Sequence, residues 1–320
     1  VQPSQSPTFT RADLSIRPAR PADRAALEAI AEQIWEGRDY LPGVLDEWFN
    51  DPHGGFYVAV LRDQVIGVSK VTRFAEGEWW LEGLRINPAF QGYGFSRILH
   101  HFSMNQVRQM GSGIVRFSTA STNEAVKQLA KETGFDLMAT YLPYGADALH
   151  EPVQSVWRLD SDDAPRVWAW LDGSQHFVRA QRSFEWDWSF YVLTETRLAD
   201  QLAAGLVYGW PHAGRRDDLG GVILMTPVEK SRWLGDPTLK IAYLDAGDLA
   251  GAGRDMRRLA AASDQMRVRI KVLNRPERAA ALEEAGYTRE WDGEACLYAR
   301  DVSLTAHADV FTESLPPSEN

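Results

Sequence analysis

The chain has 320 residues, 44% of them apolar, twelve tryptophans, one cysteine and a formal net charge of -10. The length predicts two domains of about 150 residues each; the apolar share excludes a disordered chain, the lone Cys296 excludes an internal disulfide framework, and no apolar run approaches the roughly 20 residues of a membrane span. The acidic balance argues against a nucleic-acid partner, because phosphate neutralisation needs clustered Lys and Arg, and it favours a cationic or zwitterionic substrate.

In chain order, Val1 to Thr10 has neither a basic nor an apolar signal region, so a cytoplasmic protein is expected. Residues 14–19 read as a strand, and Pro21 opens a helix with apolar positions Ala26, Leu27, Ile30, Ala31 and Ile34. Asp39 to Gly43 breaks that helix, and a short amphipathic piece follows from Val44 to Phe49. Strands at 56–61, 65–74 and 79–87, joined by tight turns, form an antiparallel meander. The pattern then switches to a Gly-rich loop at 88–96, a helix over 97–110, a strand at 114–119, a helix over 123–133 and a strand at 135–144. The fold class expected is α/β (α+β): a mixed, mostly antiparallel sheet flanked by helices.

Gly145 to Val153 reads as a boundary. A second unit follows, and its end repeats the end of the first: a strand at 268–273, Asn274, a helix to Glu284, Gly286-Tyr287 and a strand at 295–299, against Asn123, a helix and Gly134-Phe135. The Asn-to-Gly spacings differ by a single residue, so a diverged tandem duplication is expected, with domains at 13–146 and 154–304 and a C-terminal tail at 305–320.

Gln91-Gly92-Tyr93-Gly94-Phe95-Ser96 lies between a strand and a helix. Small residues there let backbone N–H groups converge on an anion at the positive end of the helix, which suits a pyrophosphate. An ordinary Gly-rich loop is the rival reading. No G-K-[ST] follows, so it is not a Walker loop, and the preceding meander does not fit a Rossmann unit.

Leu84-Arg85-Ile86-Asn87-Pro88, continued by Gln91, Gly94 and Ser96, resembles the acetyl-CoA loop of the GNAT superfamily of N-acyltransferases. Asn123 to Leu129 with Gly134-Phe135 resembles that superfamily's later segment. The resemblance covers about residues 13–145 and implies the GNAT fold and acetyl-CoA as cofactor, held by Leu84, Ile86, Gln91, Gly92, Tyr93, Gly94, Phe95, Ser96, Asn123 and Lys127. For Lys127 a solvated helix face is an equal reading. Tyr40-Leu41-Pro42, Trp48 with Asp51-Pro52, and Leu81 to Arg85 look like the histidine N-acetyltransferase family. That likeness implies the α-amine of a free amino acid as acceptor.

Glu82 lies on the strand leading into the loop, where the superfamily commonly places its general base. Strict alternation puts it on one face with Trp80, Leu84 and Ile86, where an acid is costly unless paired or used. The structural alternative is an ion pair with Arg85, Arg73 or Lys70. Tyr40 falls in the loop that borders the acceptor in this fold, with core packing as its alternative. The tyrosine that commonly acts as acid is replaced by Ala130, leaving water, Ser118, Ser121 or Tyr141 as substitutes. Ala250-Gly251-Ala252-Gly253 is expected as the matching loop of the second unit, with Ile241 in the place of Glu82. The seven histidines lack ligand spacing, so no metal site is expected.

The expected function is acetyl transfer from acetyl-CoA to a small-molecule primary amine, by direct attack with Glu82 as base. The rivals are acetylation of a polyamine, antibiotic or peptide amine, and a non-catalytic CoA-binding sensor. The oligomeric state, a homodimer included, is left open.

Overall fold

The computed structural model describes residues 13–227 and 237–303. The expected tail at 305–320 and the segment Val1 to Thr10 lie outside the described residues. The chain divides into two compact units at points inside the strands Ile114–Ala120 and Ala295–Asp301, with the first unit ending at Arg116 and resuming at Arg300, and the second running from Phe117 to Ala299.

The first unit opens with β1 (Leu14–Pro18), α1 (Arg24–Glu32) and α2 (Leu41–Phe49). The meander β2 (Gly55–Leu61), β3 (Gln64–Ala75) and β4 (Glu78–Ile86) follows, then α3 (Phe95–Met110) and β5 (Ile114–Ala120). Strands β1 to β4 pair antiparallel in order. The α3 crossover makes β4 and β5 parallel over Glu78–Trp80 and Ile114–Arg116, as such a connection allows. Alternate residues face opposite sides. Phe56, Val58 and Val68 join Leu27, Leu45 and Trp48 in a core under α1 and α2. On the other face the Ser69 hydroxyl hydrogen-bonds that of Ser103 on α3 at 2.9 Å, and Tyr57 meets Phe102 edge to face. Helix α3 starts at Phe95, earlier than the periodicity predicts, because Gly94 adopts the left-handed conformation that lets the chain turn into the helix.

The second unit contains α4 (Glu124–Glu132) and β6 (Asp136–Asp147), then β7 (Trp157–Arg158), α5 (Ala164–Asp172) and α6 (Gln175–Arg179). The hairpin β8 (Ser183–Trp186) and β9 (Ser189–Val192) precedes α7 (Glu195–Ala203). Next come β10 (Val207–His212), β11 (Arg215–Met225), β12 (Thr238–Ala246), α8 (Leu249–Ala262), β13 (Arg267–Leu273), α9 (Pro276–Glu284), β14 (Thr288–Arg289) and β15 (Ala295–Asp301). Its strands order as β15-β6-β13-β12-β11-β10-β7, with β14 also on β6. As between β4 and β5, the pair β12 and β13 is parallel and crossed by a helix, and its neighbours are antiparallel. Both stretches therefore run meander, crossover helix, parallel strand, helix and strand. The sheets are mostly antiparallel and carry helices, as the sequence predicts.

One detail departs from the sequence reading. Ala250 to Gly253 lies within α8 rather than in a loop. Its small residues serve packing: a Cβ on Gly253 would stand 2.9 Å from that of Ala285, and the Tyr287 hydroxyl donates to the Gly253 carbonyl at 3.0 Å. Phe184 to Trp188 turns back as a hairpin, with Asp187 and Trp188 both at positive φ. The stretch after β6 is pinned to α8: the buried Asp255 carboxylate accepts the N–H groups of Gln154, Ser155 and Val156 and pairs with Arg258, which also holds Glu151.

Candidate active site

Glu82 pairs across the ladder with Lys70, and Trp80 with Thr72, yet Arg85 pairs with Val68. One residue on β3, Ser69, thus opposes two on β4, Gly83 and Leu84, which form a bulge. Gly83 sits at φ +68, and a Cβ there would fall 2.5 Å from the Trp48 ring, so both backbone and packing require glycine. The bulge overturns strict alternation. Glu82 shares its face with Trp80, Lys70, Thr72 and Arg85 on the side of α1 and α2, whereas Ile86 pairs with Gly67 and faces the side of α3.

The Glu82 carboxylate accepts the Thr72 hydroxyl at 2.7 Å and is partly exposed. The three cations offered as its structural partners are engaged elsewhere. Lys70, fully buried, pairs with Asp51 and donates to the Val71 carbonyl at 2.8 Å. Arg85 binds the buried Asp39 through Nε at 2.8 Å and Nη2 at 3.3 Å. Arg73 lies over the Trp79 ring. Tyr40 stands edge-on to Trp48, and its ring lies 5.4 Å from the Arg85 guanidinium carbon.

After β4 the loop is built to present backbone donors. Asn87 Oδ1 accepts the Ala89 N–H at 3.0 Å, and Gln91 Nε2 donates to the Ile86 carbonyl at 3.2 Å, latching the loop to the strand end. Gly92 and Gly94 both have positive φ. Gly94 is the N-cap of α3 and supplies no side-chain cap. The opening N–H groups of α3, at Phe95, Ser96 and Arg97, lie at its positive dipole end. The Phe95 side chain is buried, so only its backbone can serve a ligand; Tyr93 stacks beside it. Arg97, which places a cation in this first turn, escaped the sequence reading because the motif marks only small residues.

Asn123 and Lys127 fall in the second unit. Asn123 caps α4, its Oδ1 accepting the Val126 N–H at 3.2 Å, and Lys127 pairs with Glu124 at 2.8 Å. Ala130 is fully buried. Of the candidate acids, the Tyr141 hydroxyl is buried, donates to the Ala180 carbonyl at 3.3 Å and has its pKa pushed up by burial. Ser118 donates to the Trp188 carbonyl, and Ser121 accepts the Glu294 N–H.

The equivalent features of the second unit are closed. β12 also carries a bulge, with Leu224 opposite Tyr243 and Met225 opposite Ile241. Ile241, expected from the sequence in the place of Glu82, is a core residue. The N-terminus of α8 is capped by its own Asp248, whose Oδ1 accepts the Gly251 N–H at 2.8 Å.

Comparison with known proteins agrees with this geometry. The profile of the Acetyltransferase (GNAT) family matches residues 24–135. A histidine N-acetyltransferase of Oreochromis niloticus is 29% identical over 107 residues, 33% of this chain and 32% of that protein; the chain spans about a third or less of the curated relatives it matches. Among solved structures, a GCN5-related N-acetyltransferase from Sphaerobacter thermophilus superposes with a TM-score of 0.61 at 11% identity, covering 92% of this chain and 97% of that one. A tandem GNAT protein from the clavulanic acid biosynthesis pathway gives 0.56 at 12% identity, over 90% of this chain and 98% of that one. The fold is that of the GNAT structures, and residues 24–135 are similar to the Acetyltransferase (GNAT) family.

Proposed function

We propose that this protein is an acetyl-CoA-dependent N-acetyltransferase whose acceptor is the α-amine of an amino acid. The observation that carries the reading is the succession along one strand: a carboxylate at Glu82, a bulge at Gly83, and an uncapped helix N-terminus after two left-handed glycines. The loop residues fit the group they would hold, because two left-handed glycines and the positive end of α3 suit a pyrophosphate. Asn123 and Lys127 belong to the same proposed set, Asn123 through its cap and Lys127 through its charge. When bound, acetyl-CoA supplies a thioester as the acetyl donor.

The chain's own residues do the rest. The α-amine of a chain terminus has a pKa of about 7.7–8.0, and that of a free amino acid lies higher because its own carboxylate stabilises the ammonium, so most of it is protonated near neutral pH. Glu82, directly or through water, takes that proton. The bulge leaves backbone N–H groups near Leu84 outside the ladder, where they can polarise the acetyl carbonyl. Tyr40 borders the acceptor. The amino-acid class is supported by the relatives named histidine N-acetyltransferase. The domains at 13–146 and 154–304 are read as a duplication, supported by their shared order of elements, with a second half that has lost its site. A cytoplasmic location belongs to the same reading.

Buried Ala130, in the place of the usual acid, favours a second reading as a CoA-binding sensor without turnover. One assay separates them: acetyl-CoA consumption with a panel of free amino acids, polyamines and peptide amines. Transfer to amino acids supports the proposal, transfer to the other amines corrects the acceptor, and CoA binding without transfer to any amine leaves the sensor.

A further inference from the structure

We infer that Trp48 and Arg85 form a carboxylate-binding subsite for the acceptor beside Glu82. This rests on the acetyltransferase reading and states what the acceptor must carry besides its amine. Trp48 is 2% exposed, and its indole Nε1 is buried with no hydrogen-bond acceptor among the described residues. An indole N–H can only donate, and a buried one usually has a partner, so the orphan donor points to an acceptor atom on a ligand. Its ring packs against Gly83, next to Glu82, and edge-on to Tyr40 at 6.1 Å.

Arg85 meets the other side of the same tyrosine environment. Its guanidinium carbon lies 4.6 Å from the Trp35 ring and 5.4 Å from that of Tyr40, and its side chain is 13% exposed. Asp39 takes Nε and Nη2, and the Leu84 carbonyl takes Nη1 at 3.1 Å. A guanidinium has five N–H donors, so donor capacity remains. The bulge brings this cation onto the sheet face of Glu82. Donors and a cation at one end and a carboxylate at the other match the zwitterion of an α-amino acid, and a decarboxylated amine, with no acceptor oxygen in that place, would leave the Trp48 donor unanswered. Trp35 forms the outer wall: it is 52% exposed, and with Glu36 and Gly37 it holds three successive residues at φ 49, 58 and 77.

The test uses the full-length protein, with acetyl-CoA affinity measured by calorimetry and initial rates for amino acids, their carboxamides and their decarboxylated amines. The wild-type protein should favour the free acids at least about tenfold in kcat/KM over the carboxamides. Trp48→Phe should raise KM for the acids while leaving acetyl-CoA affinity and the KM of the decarboxylated amines unchanged; if that variant does not fold, the wild-type comparison decides. Equal rates for acids and carboxamides would overturn the subsite and leave acetyl transfer standing. So would turnover confined to amines without a carboxylate. Failure to bind acetyl-CoA would overturn the acetyltransferase reading itself, and the subsite with it.

Discussion

Glu82 and Arg85 face the same side of β4 although they are three positions apart, because the bulge at Gly83 and Leu84 inserts an extra residue between them, while their partners Lys70 and Val68 are two apart on β3. In an unbroken strand, residues an odd number apart face opposite ways. The carboxylate proposed as base and the cation proposed to hold the acceptor are thus brought together by one glycine.

If Glu82 is the base, Glu82→Gln keeps shape and hydrogen bonding to Thr72 but cannot take a proton. Turnover near neutral pH should drop by about 10²–10³, with acetyl-CoA affinity little changed. The deficit should shrink as pH rises past the acceptor amine's own pKa, where free amine becomes abundant. The pH–rate profile and the melting temperature of the same mutant check this. A purely structural carboxylate would lower the melting temperature and leave the folded fraction active.

Gly94 sits at φ +76 as the N-cap of α3. Gly94→Val puts a β-branched residue in the left-handed region, at a cost of about 1–3 kcal/mol, and sets a side chain where a pyrophosphate would approach the helix end. Acetyl-CoA affinity should fall more than tenfold, or about 1.4 kcal/mol. Calorimetry on the folded mutant measures it; unchanged affinity would remove the loop from the cofactor site.

The full-length chain should bind one equivalent of CoA. Asp248 already answers the N-terminus of α8, and its charge repels a second anion there. Stoichiometry by calorimetry is the measurement, and two tight sites would show that the second half is functional. A fragment beginning at residue 150 would be unsuitable, because it lacks β6, the strand between β13 and β15.

Asp255→Ala should destabilise the protein by about 3–5 kcal/mol, the range for breaking a buried ion pair. It leaves the N–H groups of Gln154, Ser155 and Val156 without their acceptor and takes one of Arg258's two carboxylate partners. Urea unfolding tests this, and a loss under about 1 kcal/mol, the scale of a surface ion pair, would refute it.

His100 and His176 are held neutral. Burial is the main cause in both, aided by His101 and Arg300 for His100 and by Arg278 and Arg179 for His176, and each pKa is lowered to about 3. Unfolded, each titrates near 6.5. A depressed folded pKa means the unfolded chain binds more protons on acidification. Stability should therefore be complete above about pH 6.5 and decline from there towards pH 3, by up to about 1.4 kcal/mol per pH unit for each histidine. Unfolding free energy followed across that window should show a shallower slope in His100→Gln.

How far the fold could be read from the chain follows from the range of the interactions involved. The meander, the switch to a crossover helix and the glycine loop were legible because alternation, helical periodicity and left-handed glycines are properties of a few adjacent residues. Strand 78–86 was recognised, but the facing of its side chains was not. Register belongs to two strands at once, and the bulge depends on β3 and on Trp48, far away in the chain. Composition alone made Ala250 to Gly253 look like a loop; only the proximity of Ala285 and Tyr287 shows why a helix needs small residues there. The partners of Lys70 and Arg85, and the grip of Asp255 on residues about a hundred positions earlier, were likewise decided by tertiary structure, because an ion pair or a buried carboxylate selects its partner by proximity in space and leaves no periodic trace in the sequence.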